Sequence, residues 1–123
     1  MKQEIKKKWI EALRSGEYKQ TQGSFRQDRR IVDGVWKLED CFCVLGVLCD
    51  LAVKDGVTEW ELTFWGHDDH TSIYLIDGHR GTLGRRVSKW AGLNQYEAYR
   101  LWVMNDKGNA SFDELAKFIE DTL

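Results

Sequence analysis

Arginines are the residues of this chain whose types and spacing most clearly predict chemistry. They cluster in the segment 77–86, DGHRGTLGRR, where three glycines recur at three-residue intervals. Glycine lets a backbone approach a ligand closely, and guanidinium groups bind phosphate through paired N–H donors. Arg80, Arg85 and Arg86 therefore indicate an anion-binding loop. A surface loop with solvated arginines is the equally weighted alternative, because glycine spacing alone is a weak signal.

A second group of arginines lies in the segment 26–30, RQDRR. Nearby aspartates favour a solvated strand face with balanced charge. If this segment and the glycine-rich loop converge, however, they would frame a cationic pocket suited to a nucleotide. Arg26 would then bind phosphate together with the loop arginines, and Trp36 or Trp65 would stack on the base.

Histidines indicate a second, less favoured chemistry. His67 and His70 flank two aspartates, and His79 lies in the glycine-rich loop. Imidazole and carboxylate groups can hold zinc or another divalent ion, which a metal-dependent hydrolase or nuclease would need. A polar turn is the favoured interpretation, because an open loop supplies little of the outer hydrogen bonding that orients metal ligands. We therefore expect no cofactor.

Three cysteines lie in the least polar stretch of the chain, residues 40–51. Cys41 and Cys43 are predicted to alternate on a strand and Cys49 to lie on the following helix. Buried, unreactive thiols are favoured, since C-x-C is not the usual zinc spacing. An odd number of cysteines without a signal peptide favours a reducing cytoplasm.

Size and composition limit the class of protein. We expect 123 residues to form a single α+β domain over 1–123. The net charge of −2 argues against general nucleic-acid or membrane-surface binding. Membrane insertion is not expected, because no apolar run approaches the ~20 residues of a membrane span. Fifteen aromatic residues are a heavy load for this length, and part of it is expected to face a ligand or a partner.

Hydrophobic periodicity predicts the elements that would position these residues: an antiparallel sheet of two hairpins packed against four to five helices. An Asp-Gly pair at 33–34 predicts the first hairpin turn. Gly46 inside a helix would cost ~1 kcal/mol unless close packing requires the missing side chain. The predicted helices span 3–14, 44–55, 85–91, 95–105 and 112–122, and the predicted strands span 25–32, 35–43, 58–65 and 71–76.

Four blocks of the sequence, in order along the chain, resemble a family of small bacteriophage proteins of unassigned function. They are KKKWIEALRSGEYKQTQGSFR, CFCVLGVLCDLA, VSKWAGL and LWVMNDKGNASFDELAKFIEDTL. A narrower resemblance is to phage anti-Thoeris proteins, which sequester cyclic-ADP-ribose-type signals in pockets of an oligomer without chemistry. It is carried by Cys43, Leu45, Gly46, Asn105 and Asp106. That resemblance implies a ligand contact from Asn105, whereas local sequence alone predicts that Asn105-Asp106 ends a helix through a left-handed residue.

Together these features lead to a ranked set of functions. The leading hypothesis is a non-enzymatic phage counter-defence protein that sequesters an anionic nucleotide immune signal in the cytoplasm of the infected bacterium. A homo-oligomer is expected, because a small domain encloses a pocket most easily at a symmetric interface. The alternatives are a protein–protein inhibitor of a host defence protein and the metal-dependent enzyme. The predicted ligand-binding residues are Arg26, Arg80, Arg85, Arg86, Trp36, Trp65 and Asn105, with no catalytic residue.

Overall fold

The structure, a computed structural model, describes residues 1–64 and 72–123, apart from the side chains of residues 30, 31 and 64. Within these ranges the predicted α+β fold is confirmed, and the predicted boundaries agree to within two residues. The elements are α1 (Gln3–Arg14), β1 (Lys19–Gln20), β2 (Arg26–Val32), β3 (Val35–Phe42), α2 (Val44–Lys54), β4 (Trp60–Phe64), β5 (Ser72–Ile76), α3 (Arg85–Ala91), α4 (Gln95–Asp106) and α5 (Phe112–Thr122). No helix in these ranges is long and apolar enough to cross a membrane.

The strands form one mixed sheet in the order β1-β3-β2-β5-β4. Both predicted hairpins are antiparallel, and β2 joins them by pairing with β5. The first hairpin turns at Asp33 and Gly34, whose φ angles of 51° and 78° are those of the type I′ turn that Asp-Gly favours. Strand β1 was not predicted. It pairs in parallel with the end of β3, and two residues are too few to show a period.

A bulge divides the β2–β3 hairpin into two parts. The pairing register shifts between Gln27 and Arg29. Beyond the shift lies the hairpin arm, defined as residues 29–38, and the residues of β3 in it, 35–38, are all exposed. On the other side of the shift, Cys41 and Phe42 are buried. Only the proximal part of the hairpin therefore contributes to the core.

Helix α2 forms the centre of that core, as its apolar sequence predicts. Seven of its residues are buried, and α1, α3 and α4 pack around it. The indole of Trp9 in α1 donates a hydrogen bond to the Val44 carbonyl at 3.0 Å. A Cβ on Gly46 would lie 1.8 Å from the Phe25 carbonyl oxygen, so close packing does require glycine at this position.

The predicted helix ends are mostly confirmed. Both capping boxes are present, at Asn94 with Glu97 and at Ser111 with Glu114. The prediction that α4 ends through a left-handed residue at Asn105-Asp106 is wrong. That pair is helical, and Asn109, at φ 52°, is the left-handed residue of the connection.

Candidate ligand-binding groove

A groove of about 650 Å³ lies between the glycine-rich loop and α4. The loop contributes Arg80 and its neighbours Gly81 and Thr82, and the preceding β1–β2 connection contributes Gly23. The groove falls in the range of small-molecule pockets. It combines one cationic side chain with the backbone of two glycines. The N–H of Gly23 already donates to the Asp106 carboxylate at 3.1 Å.

Aromatic side chains form the helical wall of the groove. Tyr99 and Trp102 lie three residues apart on α4, and their ring centroids are 5.7 Å apart with an interplanar angle of 37°. Tyr99 is 60% exposed. Gln95, one turn earlier, also lines the groove and adds an amide that can donate and accept hydrogen bonds. Tyr99 and Trp102 thus offer ring surface on which a planar ligand could stack.

The glycine-rich loop is held in place by backbone contacts. Its first turn closes with reciprocal hydrogen bonds between Ile76 and His79, at 3.0 and 2.9 Å. The Phe25 N–H then donates to the Arg80 carbonyl at 2.8 Å. A Cβ on Gly84 would lie 3.1 Å from the His79 ring, so glycine allows this ring to pack against the loop. The position of Arg80 is therefore set by the sheet.

The two other loop arginines lie outside the groove. Arg85 and Arg86 begin α3 and line a separate, shallower depression with His79 and Lys89. The Nη1 atom of Arg86 lies 3.8 Å from the Asp77 carboxylate and 3.5 Å from the carbonyl oxygen of Val57. The structure thus places only Arg80 of the three predicted loop ligands in the groove.

Arg26 also lies away from the groove, although its segment does approach the glycine-rich loop through the Phe25 backbone. Its Nε and Nη2 donate to the two oxygens of Asp40 at 2.9 and 3.0 Å. The guanidinium lies 4.1 Å from the ring centre of Tyr74 and within 5.3 Å of those of Phe42 and Trp60. This bidentate and cation–π environment stabilises the sheet. The predicted shared pocket of Arg26 and the loop arginines is therefore not formed.

Asn105 is fully buried and does not line the groove. Its Nδ2 donates to the Thr21 carbonyl at 2.9 Å and to Asp106 at 2.8 Å. Its Oδ1 accepts from the Gln20 side chain at 2.9 Å and from the Val44 N–H at 3.1 Å. The predicted ligand contact is replaced by a positioning role, because these bonds hold the connection that carries Gly23.

Of the two predicted stacking tryptophans, Trp36 does not line the groove. Trp36 is 55% exposed on the hairpin arm. Trp65 lies outside the described residues, as do His67 and His70. His79 is exposed, and within 1–64 and 72–123 no three His, Cys, Asp or Glu side chains are grouped to hold a metal ion.

All three cysteines are buried thiols, and none of them forms a disulfide. Burial raises the pKa of Cys43 to about 12, and it raises the pKa of Cys49 well above its ordinary value. Cys43 lies just beyond β3, where its sulfur accepts the Gly46 N–H and caps α2. A thiol that stays protonated is a poor nucleophile, which agrees with the unreactive thiols predicted from sequence.

Sequence reasoning missed the aromatic wall. Aromatic residues at 96, 99 and 102 recur every three residues along α4, which places them on neighbouring turns of one helix face. Two of them, Tyr96 and Tyr99, are among the most exposed large side chains described. The spacing was available in the sequence and was the signal for this surface.

Fold and groove together define a small α+β domain with an open side pocket. Residues 1–101 match the family model described as Domain of unknown function (DUF8296), and the chain belongs to this family. The expectation of a family without assigned function is thereby confirmed. The matched range includes the glycine-rich loop and Tyr99, and Trp102 lies just beyond it. No curated protein and no solved structure matches the chain.

Proposed function

We propose that this protein binds an anionic, planar small molecule of the nucleotide type in the groove and does not convert it. The observation that carries the proposal is that Arg80, Tyr99 and Trp102 line the same cavity. Stacking of a base on an aromatic side chain contributes about 1–3 kcal/mol, and arginine adds charge-assisted hydrogen bonds to phosphate. Gly81, which carries no side chain, also lets an anion approach the backbone of the loop closely.

The polar groups of the groove support binding without chemistry. Among the described residues that line it, the polar side chains belong to Arg80, Thr82, Gln95, Tyr99 and Trp102. This set contains no carboxylate, imidazole or thiol to act as a general base. Such a set recognises a ligand by charge, shape and hydrogen bonding.

The biological role we propose is counter-defence. The chain would sequester a cyclic-ADP-ribose-type or cyclic-nucleotide immune signal in the cytoplasm of an infected bacterium. Support for this role comes from the resemblance of its sequence blocks to bacteriophage proteins and to phage sponges. The groove chemistry is compatible with that class of signal, which carries phosphates and a planar base.

Titration calorimetry against cyclic dinucleotides and cyclic ADP-ribose isomers tests the proposal. We expect one class to bind, and Trp102→Ala to weaken its binding roughly tenfold or more. Trp36→Ala is the control, because it removes the same indole group from the hairpin arm, away from the groove. Absence of heat across the panel, or equal losses in both variants, would contradict the proposal.

A second pair of variants separates the predicted arginines. Arg80→Gln is expected to weaken binding, since this side chain lines the groove, whereas Arg85→Gln is expected to leave it unchanged. A loss confined to Arg85→Gln would transfer the ligand to the depression beside α3. That result would contradict the groove assignment.

The protein–protein inhibitor remains a second candidate because of one observation. Tyr96 and Tyr99 are 70% and 60% exposed on one helix, and tyrosine is enriched in protein interfaces. Capture of a stoichiometric bacterial protein that Tyr96→Ala releases would favour this candidate. Retention of that partner by Tyr96→Ala would count against it.

A further inference from the structure

The aromatic wall of the groove provides a single stacking surface. Tyr99 and Trp102 lie three residues apart on α4, and their ring centroids are 5.7 Å apart. Among the described residues that line the groove, no others are aromatic. Both rings are therefore close enough to contact the same base, whereas a second base in the groove would have no aromatic ring to stack on.

Positive charge is also concentrated at one point of the groove. Arg80 is the only lysine or arginine among the described lining residues. Arg100 of α4 packs its guanidinium over the ring of Phe118, 4.9 Å from the ring centre. The Asp106 carboxylate accepts the Gly23 N–H at 3.1 Å and would repel a phosphate placed beside this glycine. The lining thus favours phosphate at one place, beside Arg80.

Nucleotide signals differ in how their bases and phosphates are arranged. A cyclic dinucleotide carries two bases, and its two phosphates lie on opposite sides of its ring. A cyclic mononucleotide carries one base and one phosphate. Cyclic ADP-ribose carries one adenine and two phosphates that are joined directly, so that a single arginine can contact both. The one-base ligands match a groove with one stacking surface and one cation.

We propose that the groove selects nucleotides that have one base, and phosphates at a single point, over cyclic dinucleotides. This inference rests on the proposed function, because it names the ligand class that the same groove would take. A one-base ligand can stack on Trp102 and pair its phosphate with Arg80 at the same time. In a cyclic dinucleotide the second base would stay unstacked and the second phosphate would lose water without gaining a cation. We expect this difference to change affinity by at least about tenfold.

Titration calorimetry with ligand pairs that share a base tests the selection. The pairs are cyclic AMP with cyclic di-AMP and cyclic GMP with cyclic di-GMP, and cyclic ADP-ribose is compared with the adenine pair. We expect a one-base ligand to bind at least about tenfold more tightly than the dinucleotide of the same base. Trp102→Ala should weaken the binding of that one-base ligand.

A second cation in the groove provides the converse test. Thr82 lines the loop side of the groove and is exposed, so Thr82→Arg can be accommodated without a change in the core. This variant should strengthen the binding of the cyclic dinucleotide roughly tenfold and that of the one-base ligand much less. Thr82→Gln is the matched control, because it adds a long polar side chain without charge. Circular dichroism should show that both variants keep the wild-type fold.

The outcomes separate the selection from the proposed function. A cyclic dinucleotide that binds as tightly as the one-base ligand, and is weakened by Trp102→Ala, overturns the selection but keeps the groove as a nucleotide site. A ratio of the two affinities that Thr82→Arg leaves unchanged, or that Thr82→Gln changes equally, also overturns the selection. Absence of binding by every ligand would contradict the proposed function, and the selection with it.

Discussion

The helical body around α2 and the hairpin arm both contain apolar residues, which are buried in the body and exposed in the arm. In α2 seven residues are buried, and the thiol of Cys43 and the amide of Asn105 satisfy its first N–H groups. In the arm, Val35, Trp36 and Leu38 are as apolar but are mostly exposed. The difference teaches that apolar character alone does not determine burial. A long hairpin places its tip beyond the reach of the single core, so the apolar side chains of the tip stay at the surface.

Replacing Gly46 by alanine should have the largest effect on the helical body. The added methyl would collide with the Phe25 carbonyl, so we expect a loss of at least about 3 kcal/mol in the free energy of unfolding. Denaturant titration measures it. Gly81→Ala is the control, because its Cβ would meet no atom within 4 Å, and it should change stability by under about 0.5 kcal/mol. Equal midpoints would refute the tight contact.

Removal of the buried Asn105 amide should rank second. Asn105→Ala leaves the Val44 N–H, the Thr21 carbonyl and the Gln20 side chain without this partner, at a cost of about 2 kcal/mol. The exposed helix cap Asn94→Ala is the matched control, with a loss of about 1 kcal/mol. If the two amides prove equivalent in chemical denaturation, Asn105 is not the positioning residue described above.

Asp50 should make the stability of the helical body depend on pH. Burial alone would raise the pKa of its carboxyl, but hydrogen bonds from Tyr18 at 2.6 Å and Trp60 at 3.0 Å, together with Lys54, lower that pKa overall. A lowered folded pKa contributes stability that is complete above about pH 4 and is lost as the pH falls through the folded value. Melting temperatures should therefore fall with acid more steeply in the wild type than in Asp50→Asn. Parallel curves would contradict this coupling.

Truncation of Trp36 in the arm should have the smallest effect on folding. The side chain is exposed, so Trp36→Ser is expected to change the unfolding free energy of the monomer by under about 0.5 kcal/mol. Denaturant titration measures it, as for Gly46→Ala. A loss comparable to that of Asn105→Ala would remove the contrast between arm and body.

Local signals made most of the fold predictable. The Asp-Gly turn at 33–34, the two capping boxes and the helical periodicities each act over a few residues, and each is confirmed. The bulge between Gln27 and Arg29 and the two-residue strand β1 carry no comparable local pattern, which is why neither was predicted.

The candidate site was less predictable because its residues are selected by contacts across the fold. Arg26 and Arg80 look alike in sequence, yet Asp40 and three rings from three strands hold the first, while the second borders a groove. Asn105 likewise owes its position to partners more than 60 residues away. The spacing of residues in the sequence does not distinguish an arginine that is held by the sheet, such as Arg26, from one that lines a groove, such as Arg80.

The main chain of Phe25 connects the groove to the core. Its carbonyl accepts the Cys43 N–H at 3.1 Å and lies against Gly46, while its N–H donates to the carbonyl of Arg80. A ligand that displaced the Arg80 backbone would therefore have to disturb the close contact between Phe25 and Gly46. We therefore expect the loop side of the groove to be rigid, so that the proposed ligand would lose little affinity to the ordering of the loop.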